Sequence, residues 1–219
     1  KTLVDAGFYV VGISRNVSEE FLALSENHRQ FFEFDLTNHK EIPGLVNKII
    51  KSIGGSPYGL VNNAGVGLGG VLATQHASDI SYMLKLNLES PITLTKYVVR
   101  HMLKVRRGRI INISSIIGKT GFNGLAVYAA SKSGLEGFTR SLSREVGKAG
   151  ITVNCIAPGY MLTNMTKELS LDKLKSIKRR APLGLPETLH AAHAVNYFLD
   201  PKAEKSTGIV LTVDGGSTA

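Results

Sequence analysis

Residues 109–114 (RIINIS) and 151–157 (ITVNCIA) are two apolar, β-rich runs, and between them residues 127–147 form a helical pattern stopped by Gly147 and Gly150. Strand, helix and strand in that order read as a right-handed crossover that sets the two strands parallel. Near-continuous hydrophobicity in both runs suits strands covered on both faces. Working outward, residues 8–14 (FYVVGIS), 30–35 (QFFEFD), 59–62 (GLVN) and 209–213 (IVLTV) are further strands. Helical patterns occupy 1–7, the last turns of a helix with Gly7 as its stop, then 18–27 with Ser18 as N-cap, and 42–53. Residues 78–106 fit one extended helix or two, and 171–180 and 186–199 are also helical. The alternation predicts an α/β fold: a doubly wound parallel sheet, Rossmann-like, as a single domain over 1–219 without repeat or linker. Ligands of such sheets bind beyond the carboxyl ends of the strands.

Composition sets broad bounds. The chain has 219 residues, 43% hydrophobic and 20% charged, an ordinary globular balance. No apolar run approaches the ~18 residues of a membrane span, so no membrane partner is expected. The single cysteine, Cys155, excludes an internal disulfide, suits a reducing compartment and reads as a small core residue. The net charge of +9 comes from scattered basic residues with no accompanying nucleic-acid motif, so nucleic acid is not an expected partner. One dense basic segment runs from 167 to 180, including Lys173, Lys175, Lys178 and Arg179. It reads as a solvated helix face or as an attractor of a phosphate-bearing substrate. His190 and His193 have no further ligands nearby and read as surface histidines; no metal is expected.

Chemistry is suggested by Tyr128 and Lys132. They are four residues apart in a helical pattern, so one turn puts both side chains on one face. A phenol is a poor acid–base group near neutrality, with an ordinary pKa of about 10. A neighbouring ammonium favours the phenolate, and the spacing predicts that Lys132 lowers the pKa of Tyr128. Of seven tyrosines only Tyr128 has lysine at this spacing, so the pair needs context before it means more than a surface helix pair. Ser115, thirteen residues earlier, stands just past the strand at 109–114, where its hydroxyl can reach a substrate oxygen. Ser114 competes for that role; the spacing to Tyr128 favours Ser115. A glycine-rich loop, residues 118–124, lies between them.

With Asn62-Asn63-Ala64-Gly65, Asn87, Ser115, Tyr128-Ala129-Ala130-Ser131-Lys132, Pro158-Gly159 and the closing Asp214-Gly215-Gly216, the chain resembles the short-chain dehydrogenases/reductases over essentially its whole length. The resemblance implies that Ser115 orients the substrate, Tyr128 is the general acid/base, and Lys132 tunes it and holds the ribose hydroxyls. It gives Asn87 a water in a proton relay; the alternative is a helix-kink or cap residue. It places Asn62, Ala64 and Gly65 along the adenosine side, Asp35 and Leu36 by the adenine, and Pro158, Gly159 and Thr163 by the nicotinamide. A plain loop cap is the alternative for Asp35. Where NAD enzymes have an acid after the second strand, Arg15 stands, which suits a 2′-phosphate and so NADP(H), with a surface arginine as the alternative.

One departure is plain. The first strand and the glycine-rich turn that cradles the pyrophosphate are absent from this chain; Gly67, Gly69 and Gly70 follow the wrong strand. The expectation is an N-terminally truncated domain, short of about 20 to 30 residues that would complete the half-unit, with the neighbours of the absent strand left unpaired. Within the family the chain most resembles 3-oxoacyl-[acyl-carrier-protein] reductases, in residues 106–113, 150–154 and 158–165. A carrier-bound carbonyl is the expected substrate. Arg106, Arg107, Lys148 and the 167–180 segment, near the cleft mouth, are the expected attraction for an acidic carrier, and 161–180 a mobile lid. Another small alcohol, sugar or steroid, or a non-catalytic fragment acting as an assembly subunit, are the alternatives. A homotetramer, built on the small residues Ala129, Ala130, Ser133, Gly134 and Gly137, and a cytoplasmic location complete the expectations.

Overall fold

The structure, a computed structural model, describes residues 1–163 and 171–219. In chain order the elements are α1 (Thr2–Asp5), β1 (Val10–Ser14), α2 (Glu19–Leu22), β2 (Arg29–Glu33), α3 (Ile42–Ser52), β3 (Gly59–Asn62), α4 (Ala77–Leu84), α5 (Ser90–Val105), β4 (Gly108–Ile113), α6 (Ile117–Thr120), α7 (Ala126–Val146), β5 (Ile151–Pro158), α8 (Leu171–Arg179), α9 (Thr188–Leu199) and β6 (Val210–Val213). All described strand pairs are parallel. The α/β, Rossmann-like reading therefore holds.

Successive residues of a strand face opposite sides, and the core divides accordingly. Ile110 and Val153 join α3, α5 and α7 in one cluster, around Val46, Leu94, Met102 and Leu142. Ile111 and Ile156 join α9 in a second cluster on the other face, with Val195 and Phe198. β4 and β5 are consequently buried on both sides. Their carboxyl ends lead directly into Ser115 and Gly159.

The sheet comes in two parts. β3-β4-β5-β6 form one, β1-β2 the other, and no hydrogen bonds join β1 to β3. Between them lies a cavity of about 790 Å³, bordered by Val10, Val11 and Ile13 on one side and Leu60 and Val61 on the other.

Several boundaries differ from the sequence reading for identifiable reasons. Ser18 does cap a helix, accepting from Phe21 N at 3.2 Å, but α2 stops at Leu22. The Arg29 guanidinium takes the carbonyls of Leu22 (3.0 Å) and Leu24 (2.9 Å) that a longer helix would use. The strand expected over 30–35 is β2, Arg29–Glu33, because Asp35 turns back on Thr37. The stretch 78–106 is α4 and α5 joined by a π-helical turn, Lys85–Glu89. Pro91 has no N–H to return to the carbonyl of Asn87 one turn earlier, which accounts for the widening. His190 accepts from Glu187 N at 2.9 Å and closes the start of α9. Among the described residues no group of three or more His, Cys, Asp or Glu could hold a metal, and no helix is long and apolar enough to cross a membrane.

Candidate active site

The carboxyl end of β4 and the first turns of α7 bring Ser115, Tyr128 and Lys132 together. The Ser115 hydroxyl lies near enough to the Tyr128 phenol to favour its phenolate form and accepts from Ile117 N at 3.2 Å. Lys132 is 5% exposed. Its Nζ donates to the carbonyl of Ile113 at 2.8 Å and lies 5.6 Å from the centre of the Tyr128 ring. Ser114, the competing serine, is 3% exposed and points to Glu136 Oε1 at 3.0 Å, away from the phenol.

The electrostatics correct one expectation. Burial raises the Tyr128 pKa above its ordinary value, and the Ser115 hydroxyl works the other way. The ammonium lies over the ring, 5.6 Å from its centre, and burial outweighs it. Burial pulls Lys132 down to about 8, partly countered by its interaction with Cys155. A buried amine in this range is charged near neutrality yet close to losing its proton.

Asn87 sits in the π-helical turn with no exposed surface. Its side chain is committed in both directions to the backbone of Val66, accepting at 2.8 Å and donating at 2.8 Å, with Ser131 Oγ at 3.3 Å. Gly65 is pressed against this group. A Cβ there would lie 3.2 Å from Asn87 Oδ1 and 3.5 Å from Lys132 Nζ, so glycine keeps the approach to the amine clear.

The other residues fall into three places. Arg15 and Asp35 line a second cavity of about 310 Å³ with Glu33, Phe34, Asn38 and Glu41. Asp35 accepts from Thr37 N at 2.9 Å and Thr37 Oγ1 at 2.8 Å, which lowers its pKa, with smaller help from Arg15 and Lys85. It is thus a loop cap as well as a candidate adenine contact. The Leu36 carbonyl receives Ser90 Oγ at 2.9 Å. Pro158 ends β5 and its carbonyl accepts from Ile116 N at 3.0 Å, beside the Ser115 turn. Gly159 bonds Val213, and a Cβ on it would overlap Asp214 at 2.7 Å. Asp214 in turn holds Gly216 N, Ser217 and Thr218 at 2.7–2.9 Å. Thr163 is the last residue before 164–170, and that part of the expected lid, with Lys167, lies outside the described residues. Glycine at 65 thus keeps the space before the Lys132 amine open, whereas glycine at 159 serves the close packing of Asp214.

Asn62 is drawn elsewhere. Its amide donates to Thr95 Oγ1 (3.0 Å) and Asn112 Oδ1 (2.7 Å), and Asn112 donates to Thr139 Oγ1 (2.8 Å). This buried ladder ties α5, β3, β4 and α7 together, fixing the helix that carries Tyr128 to the sheet. Sequence reasoning missed the ladder, Glu136 and the Ile113 carbonyl; a polar Asn112 inside the run 109–114 was the one visible signal. A further correction concerns Arg106, Arg107 and Lys148. They precede β4 and β5, with Arg106 donating to the Lys148 carbonyl and Arg107 4.6 Å over Tyr58. That is the amino end of the sheet, six residues of strand, or about 20 Å, from Ser115. They do not border the cleft.

Comparison with known proteins identifies the family. The short chain dehydrogenase family profile matches residues 1–174. The 3-oxoacyl-[acyl-carrier-protein] reductase FabG of Vibrio cholerae is 39% identical over 183 residues, 83% of this chain and 75% of the relative. FabG of Escherichia coli K12 is 36% identical, covering 99% and 89%, and the human 3-oxoacyl-[acyl-carrier-protein] reductase 35%, covering 96% and 87%. A solved structure of ElxO with NADP bound superposes with a TM-score of 0.88 at 31% identity, covering 98% of this chain and 90% of that one. This chain belongs to the short-chain dehydrogenase/reductase family, NAD(P)-dependent oxidoreductases acting on CH–OH groups.

Proposed function

We propose that this protein is an NADP(H)-dependent reductase of a 3-oxoacyl thioester carried on acyl carrier protein, with Ser115, Tyr128 and Lys132 performing the acid–base work. The observation that carries the reading is the Lys132 ammonium, buried and 5.6 Å from the centre of the Tyr128 ring, with the Ser115 hydroxyl near the same phenol. Bound NADPH supplies the hydride. The Ser115 hydroxyl donates to the substrate carbonyl and orients it, and the Tyr128 phenol gives its proton to that oxygen as negative charge develops there. A phenol whose pKa is raised keeps its proton near neutrality, which suits the reducing direction. Lys132 holds the ribose hydroxyls and contributes positive charge, and Asn87 holds the relay water. Arg15 meets the 2′-phosphate and Asp35 and Leu36 the adenine. Asn62, Ala64, Gly65, Pro158, Gly159 and Thr163 form the remaining wall.

The same reading has an extended segment, carrying the glycine-rich turn, fill the cleft between β1 and β3 and pair with both. Unpaired backbone groups on two facing strand edges support it. It includes a homotetramer through the outer face of α7, where Ala130, Ser133 and Gly137 are exposed, and a cytoplasmic location. The acidic carrier is drawn to the exposed Lys175, Lys178, Arg179 and Arg180. Relatives of 35–39% identity that reduce 3-oxoacyl carriers favour this substrate. A panel of 3-oxoacyl thioesters, sugars and steroids with NADPH tests it: kcat/KM is highest for the thioesters. Preferential turnover of a sugar or steroid overturns the substrate assignment, and no NADPH binding by any form of the chain favours an assembly subunit.

A further inference from the structure

One turn beyond Lys132, α7 carries a carboxylate that the acid–base reaction does not use. Glu136 is 9% exposed. Burying a carboxylate is costly unless it is bonded, so its partners are informative. Oε1 accepts from Ser114 Oγ at 3.0 Å, and Oε2 lies 3.8 Å from Arg140 Nη1. The Ser114 hydroxyl is also 3.2 Å from the Lys132 carbonyl, but it has one hydrogen, and the nearer, charged acceptor holds it. From α6, Gly118 packs on the same turn: a Cβ would stand 3.3 Å from Glu136 Oε1, 3.1 Å from Ser133 N and 3.2 Å from the Lys132 carbonyl carbon. From β5, Cys155 lies close enough to feel the carboxylate's charge.

We infer that Glu136 is a positioning residue: by holding Ser114 it fastens the turn 114–118 to α7 and so fixes the Ser115 hydroxyl against Tyr128. Ser115 and Tyr128 belong to different elements, and both must reach one substrate oxygen within about 0.5 Å of the working geometry. Ser115 follows Ser114 directly, and its hydroxyl accepts from Ile117 N. Backbone bonds from Ser114 N to Ile156 and from Ile116 N to Pro158 hold the turn to β5, and Ser133 Oγ of α7 donates to the Gly118 carbonyl at its far end. The carboxylate spans the joint between that turn and α7. The inference rests on the acid–base reading of Tyr128.

The test uses amide exchange over 114–121 and native-state labelling of Cys155, the single cysteine, which has no exposed surface. In Glu136→Ala, exchange of the turn and labelling of Cys155 rise about tenfold, while protection of β5 and β6 is kept. Glu136→Gln, which keeps an acceptor, restores most of the protection. Ser114→Ala, a milder change, reproduces Glu136→Ala, and the double variant is no worse than either. Where turnover is followed, kcat falls about tenfold and KM for NADPH stays within about twofold. Unchanged exchange and kcat in a folded Glu136→Ala or Ser114→Ala overturns the inference; so does protection lost evenly across the sheet. Failure of the Tyr128 reading would show separately, as turnover insensitive to Tyr128→Phe.

Discussion

β4 and β5 stand in contrast to β1 and β2. β4 has a hydrogen-bonded neighbour on each side, and β5 is buried at all eight positions. β1 and β2 pair only with each other and contain no buried residue, and neither do α1 and α2. The difference separates two tasks. Ser115, Tyr128 and Lys132 hang from the closed part of the sheet, where a buried polar ladder holds α7 in place. Arg15 and Asp35 hang from the open part. On the proposed reading, acid–base geometry depends on the closed part, and dinucleotide affinity on closing the other.

The largest expected effect comes from closing it. Extending the chain with an apolar strand and glycine-rich turn ahead of Lys1 should pair β1 with β3 and tighten NADPH binding at least a hundredfold. That is what two or three new backbone bonds to a charged phosphate, at about 1.5–3 kcal/mol each, would give. Calorimetry on both forms checks it; equal affinity would remove the distinction between the halves. Next is a pair of substitutions. Asn112→Leu leaves Asn62 and Thr139 without their buried partner and should cost about 2–3 kcal/mol in denaturant unfolding. Tyr9→Phe removes a half-exposed bond to the Arg29 carbonyl and should cost under about 0.5 kcal/mol. Similar losses would contradict the contrast.

A further effect, read in the pH dependence of stability, concerns Lys132. Its folded pKa, about 8, is below the unfolded value of about 10.4. The unfolded chain then binds more protons between these values, so stability from this group rises with pH across that window, and the burial penalty is full below it. Lys132→Met should raise Tm near neutrality and lose that advantage by about pH 10, while turnover is lost. A Tm gain independent of pH would mean packing, not charge, sets it.

Much of the closed part was readable from the residues because its signals are local. Tyr128 and Lys132 share a face by spacing, and Ser115 follows a run whose strand character is strong. What escaped depends on distant partners. Glu136 meets Ser114 across 22 residues, and Lys132 finds the Ile113 carbonyl, a backbone acceptor that no side-chain pattern marks. The pKa of Tyr128 also escaped: spacing shows that an amine is near, but not that burial outweighs it. α2 was overextended because the Arg29 side chain took its carbonyls, an event outside the helical pattern.

Tyr128→Phe is the most direct test, made in a form shown by calorimetry to bind NADPH. Removing one oxygen leaves the ring, Lys132 and the closed sheet in place. Carbonyl reduction, followed by loss of reduced nicotinamide absorbance, should fall about 10²–10⁴-fold with NADPH affinity essentially unchanged. Turnover equal to that of the parent protein would contradict the assignment of Tyr128 as the proton donor.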